Sequence, residues 1–120
     1  MVAVPARPLV VAVGVILSLA VAGCGATQGQ GDALQACKSY TDATTGYVTA
    51  AHRDSALADA AHWAAKAAAG AAAWQPLLEA IQDYQKTLAA PDPRSPGVVH
   101  RRDAAYHVIN GSCATASRGY

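Results

Sequence analysis

The chain has 120 residues, of which 30 are Ala, none is Phe and one, the initiator, is Met. That length predicts a single domain. Apart from Arg7 near the N-terminus, eight Lys and Arg balance eight Asp and Glu, which argues against nucleic acid, whose binding needs a basic stripe for counterion release, and against polybasic membrane binding.

Residues 1–24 carry the first legible signal. A short n-region with Arg7 precedes Leu9 to Ala22, which contains no charge, and then Gly23-Cys24. This order of charge, apolar run and small residues is the architecture of a secretory signal peptide. A helix spanning the membrane needs about 20 apolar residues, and this run is shorter. The residues Val21-Ala22-Gly23-Cys24 resemble the lipobox of bacterial lipoproteins: an aliphatic residue, a small residue, Gly or Ala, then Cys. The resemblance covers the first fifth of the chain and implies that residues 1–23 are removed. It also implies that diacylglycerol is attached to Cys24, leaving that residue first in the mature protein, held on the extracytoplasmic face of the cell membrane. Two acyl chains on one residue anchor stably, at about 0.8 kcal/mol per buried methylene. The Ala-rich, Phe-free composition is similar to that of exported actinobacterial proteins. Residues 24–31, with Gly25 to Gly31 free of charge and of large apolar groups, read as lipidated Cys and flexible tether, and residues 32–120 as the folded domain.

Setting Cys24 aside leaves Cys37 and Cys113. In an oxidising compartment such a pair most simply forms a disulfide, closing a loop of about 77 residues at a gain of about 4 kcal/mol on chain-entropy grounds. The rival, a reactive thiol, needs a nearby His and an electropositive setting. Neither Cys has a His within four residues.

Four helical segments follow. From Asp32, a plausible N-cap, to about Ala51, the residues Leu34, Cys37, Thr41, Thr44 and Val48 share one face. A second helix is expected from Asp54-Ser55 to Trp74, with Ala at 12 of the 18 positions from Ala56 to Ala73. Gln75-Pro76 interrupts it and opens a third, with Leu77, Leu78, Ile81, Tyr84 and Leu88 on one side. After a loop from Ala89 to Gly97, Ser95-Pro96 reads as N-cap and first turn of a fourth helix. Its apolar face holds Val98, Val99, Ala105, Tyr106, Ile109, Cys113 and Ala116, with Asn110-Gly111 weakening its last turns.

The expected fold class is therefore all-α. In a small up-down four-helix bundle the start of the first helix lies beside the end of the fourth, bringing the two cysteines together. Three helices of equal length would separate them by roughly 18 Å, unless helices two and three form one long Pro-kinked rod that the outer helices meet halfway.

Candidate sites are few. His100, Asp103 and His107 share a helical face and form a weak candidate metal site, although the two His are roughly 10 Å apart and the face points to solvent. His52 and His62 form no pattern. Trp63 and Trp74, three helical turns apart on the second helix, project the same way, and they serve either the core or a partner surface. Arg102, amid the apolar face of the fourth helix, snorkels, pairs with an acid such as Asp83, or marks an anionic site. No Ser carries a His–acid pair at a recognisable spacing. The expected protein is a non-catalytic envelope lipoprotein without cofactor, engaging an envelope protein or cell-wall component. The alternative is a carrier or sensor for a small ligand or metal, which a cavity beside Trp63 and Trp74 would favour.

Overall fold

The computed structural model describes residues 28–118. Helix α1 spans Gln30–Thr44, α2 Ala50–Gly70, α3 Gln75–Leu88 and α4 Pro96–Ser117, with a 3-10 turn at Ala72–Trp74 between α2 and α3. No strand occurs among the described residues. Each helix packs against its chain neighbour, and α1 closes the bundle against α4.

The helices alternate in direction. Gln30 Nε2 at the start of α1 donates to the Ala116 carbonyl at the end of α4, 2.8 Å away. Arg53 and Leu57 at the start of α2 share a shallow hollow with Gln85 and Leu88 at the end of α3. The chain is thus an up-down four-helix bundle, and the three-helix alternative is excluded. The break that separates α2 from α3 is Ala71, whose extended backbone (φ −154°, ψ 129°) ends the Ala-rich helix at Gly70, upstream of Pro76.

Helix α1 departs most from its expected form. It begins at Gln30, its N-cap is Gly29 rather than Asp32, and it ends at Thr44 rather than Ala51. Gly29 has φ 77°, and a Cβ there would lie 2.6 Å from the Ala67 carbonyl oxygen. Only glycine suits such a position. Asp32 sits in the first turn instead, where a carboxylate still favours the helix dipole. Thr45 and Gly46, the latter at φ 75°, turn the chain before Val48 can extend the helix. The buried face is also displaced, being Ala33, Ala36, Tyr40 and Ala43, while Leu34 is 41% exposed. These Ala meet the Ala56, Ala60, Ala64 and Ala67 stripe of α2, since small side chains let two backbones approach closely.

Helix α2 starts earlier than expected. Its cap is Thr49, whose Oγ1 accepts from the His52 amide at 3.1 Å, and Asp54 pairs with Arg53 instead. Helix α3 matches its pattern, with Pro76 in its first turn and Leu77 and Ile81 fully buried. In α4, Ser95 and Pro96 take their expected places. Asn110-Gly111 does not stop the helix, because ties to α1 at Cys113 and Ala116 hold its last turns. Ala105 and Ile109 are buried, whereas Tyr106, expected on the same face, is 45% exposed.

Candidate functional site

Cys37, in the second turn of α1, and Cys113, near the end of α4, form the expected disulfide, with Cα atoms 5.8 Å apart. Both half-buried cysteines pack against the core. Cys24 and the signal segment lie outside the described residues.

The paired-tryptophan surface does not exist in the expected form. Because α2 ends at Gly70, Trp74 belongs to the 3-10 turn and does not continue the face of Trp63. Trp74 is only 3% exposed, and its Nε1 donates to the Gln28 carbonyl at 2.9 Å. A buried indole that finds its hydrogen bond is core. Trp63 is half-buried, packed against the core, with the Lys66 ammonium 4.7 Å from its ring centroid. Neither the α2–α3 hollow nor the groove between α3 and α4 borders either tryptophan.

His100, Asp103 and His107 are all exposed on α4. Among the described residues no three His, Cys, Asp or Glu are grouped so as to hold a metal ion. His52 and His62 are likewise exposed. Arg102 does not pair with Asp83. Its Nη2 donates to the Pro93 carbonyl at 2.8 Å, and its Nε donates to Thr87 Oγ1 at 3.3 Å. It therefore binds the α3–α4 loop and the C-terminal turn of α3, where a cation suits the helix dipole.

The bundle interior holds one polar anomaly. Tyr40 and Tyr84 meet edge-to-face with centroids 5.4 Å apart, and the buried Tyr40 hydroxyl has no hydrogen-bond partner among the described residues. Burial, then the neighbouring Tyr84 and Tyr106, push the Tyr40 phenol well above its ordinary range.

A further concavity lies where sequence reasoning gave no expectation of one. A half-open groove of about 390 Å³ runs between α3 and α4, floored by the buried Ala80 and Ala105 and flanked by the exposed Ala104 and Val108. Its rim carries Glu79, Asp83, Lys86 and Arg101. Along α3 the acids lie toward the Pro76 end and Lys86 toward the far end, where antiparallel α4 contributes Arg101. Such a groove is within the size range of ligand sites, yet it is open on one side and bordered by opposite charges at its two ends. Its only advance signal was the smallness of Ala80, Ala104 and Ala105 on two facing helices. A small side chain there is equally a sign of close packing, so the sequence does not distinguish the two.

No helix among the described residues is long and apolar enough to cross a membrane. Compared with protein-family models, with curated proteins and with solved structures, the chain matches none.

Proposed function

We propose that the chain is a lipid-anchored protein of the cell envelope that acts by binding, with the α3–α4 groove as its contact surface. The observation that carries the location is the Cys37–Cys113 bridge. Such bridges persist in oxidising, extracytoplasmic compartments, and this one leaves Cys24 as the cysteine available at the lipobox-like sequence. The contact surface follows from the groove's form. Its small apolar floor admits a segment of a protein partner, and the ordered charges favour one with a basic group over Glu79 and Asp83 and an acidic group toward Lys86 and Arg101.

Two substitutions test the two halves. Cys24→Ser protein should accumulate as precursor and lose its acyl label; processing and retention like wild type would refute the anchor. For the groove, Ala104→Arg/Val108→Arg fills the hollow from exposed positions, and Leu34→Arg, on another exposed face, is the control. Proximity labelling from the C-terminus in the native cell should lose one specific neighbour in the groove variant and keep it in the control. An identical neighbour set in all three proteins would overturn the assignment.

A further inference from the structure

The end of the bundle where the described chain begins is built differently from its other end. Three observations fix the N-terminal strand of chain there. The Gln28 carbonyl accepts the Trp74 indole N–H at 2.9 Å. Gly29 lies so close to Ala67 that an added Cβ would clash with its carbonyl oxygen and also press on the Trp74 ring. Gln30 bonds to Ala116 across the bundle. Residues 28–30 are thus clamped between α2, the 3-10 turn and α4, and Gly31 belongs to α1, so residues 28–31 are part of the folded domain rather than of a tether.

That clamp changes the reach of the anchor. Only residues 25–27 separate Cys24 from Gln28, and four peptide units span at most about 14 Å. A seven-residue flexible tether would let the domain tumble above the membrane, whereas this spacing does not.

We propose that the bundle stands on the phospholipid headgroup layer, its base formed by the α1 N-terminus, the α2–α3 junction and the α4 C-terminus. This rests on the lipid-anchor reading of Cys24. The chemistry of the base suits a passive contact. Residues 67–78 contain no charge, and Ala69, Gly70, Ala72 and Ala73 are exposed there. Among the described residues, Asp32 in the first turn of α1 and Arg118 after α4 put one charge of each sign at this end, and no polybasic patch is needed, because the acyl chains supply the affinity. The opposite end carries the α1–α2 loop with the fully exposed Tyr47 and the Pro-rich α3–α4 loop. Helix α2, with 21 residues, separates the two ends by about 30 Å. The α3–α4 groove then stands upright, with its acidic end toward the membrane and Lys86 and Arg101 farther out.

The tryptophans make this measurable. Full-length lipoprotein, purified from membranes, is reconstituted into phosphatidylcholine vesicles carrying a trace of headgroup-dansylated lipid, and energy transfer from Trp to dansyl is recorded. In the Trp63→Phe protein Trp74 is the sole donor within the bundle and should transfer strongly. Adding Tyr47→Trp places a second donor at the far end, and the mean transfer should fall toward half. Inserting a 20-residue Gly/Ser linker between Thr27 and Gln28, with an r.m.s. length of about 25 Å, should lower transfer from Trp74 severalfold. Equal transfer from the two ends, or transfer indifferent to the linker, overturns the upright orientation. Failure of the protein to float with the vesicles is a separate outcome, which overturns the lipid-anchor reading and the orientation with it. Replacing a third of the phosphatidylcholine by phosphatidylglycerol should leave the Trp74 signal unchanged, and a marked rise would show an electrostatic contact in place of a tether-set one.

Discussion

At the scale of single residues, the bundle depends on a few side chains whose surroundings are unusual. Tyr40 is buried against Tyr84 with its hydroxyl unpartnered among the described residues, and an unsatisfied buried hydroxyl costs about 1–3 kcal/mol. Tyr40→Phe keeps the ring and removes that cost, so the variant should be as stable as wild type or more stable by up to about 1 kcal/mol. The effect should grow with pH. The folded-state pKa of Tyr40 is raised, so folding favours the neutral phenol. Its contribution is fully present below the unfolded value near 10 and is lost as pH rises above it, because the unfolded state then ionises first. Denaturant melts between pH 8 and 11 check this: wild-type stability should fall more steeply than that of Tyr40→Phe, and parallel curves would contradict it. Gly29 is the other special residue, and its close approach was not legible in the sequence. A glycine near a helix start reads as tether, and its contact partner Ala67 lies 38 positions away. The sequence carries no local mark of that approach.

At the scale of elements, legibility follows side-chain size. Helix α3 presents Leu77, Ile81 and Leu88 on one face against Glu79, Gln82, Asp83 and Lys86 on the other, and both its face and its Pro76 start were readable. Helix α1 offers only Leu34 as a large aliphatic, which misdirected the expected face, because Ala33, Ala36 and Ala43 make the actual contact. Burying Ala yields little per residue, so its periodicity is a faint signal even where the packing is tight. The disulfide and the helix order were legible for the opposite reason, since two cysteines 76 residues apart admit few arrangements of four helices. The groove was not legible, because close packing and an open hollow both call for small residues. Arg102 ties α3 to α4 through its bonds to Pro93 and Thr87. Arg102→Met retains the apolar stem and removes those bonds, which should cost about 1–2 kcal/mol, the lower part of the range for hydrogen bonds to charged groups, since the side chain is half-exposed. The loss should be local as well. Hydrogen exchange of the Arg94 and Ser95 amides, bonded to Asp92 within the loop, should quicken while α2 amides keep their protection. Unchanged exchange in the loop would show that the Pro residues alone hold it.

At the scale of the whole molecule, the question is what makes so thin a core sufficient. Ten of the sixteen buried apolar residues described are Ala, and the largest fully buried side chains are Leu57, Leu77, Ile81 and Ile109. An Ala methyl removes little surface from water, at about 25 cal/mol per Å², and small domains are marginal even with larger side chains. The Cys37–Cys113 bridge compensates by restricting the unfolded chain over most of the domain's length, while the α1–α4 seam it closes is otherwise tied by Gln30 to Ala116. Replacing both cysteines by Ala should therefore cost about 2–5 kcal/mol. For a domain of this size that lowers the melting temperature by roughly 10–30 °C. Because the gain is entropic and acts on the unfolded state, the folded double variant should keep the far-ultraviolet circular dichroism of wild type at low temperature and differ in its melt. Dithiothreitol should shift the wild-type melt to that of the double variant and leave the variant unmoved. A double variant that melts with oxidised wild type would show that Ala-on-Ala packing suffices alone, and a variant that loses its helical signal before heating would show that the bridge holds the α1–α4 seam itself.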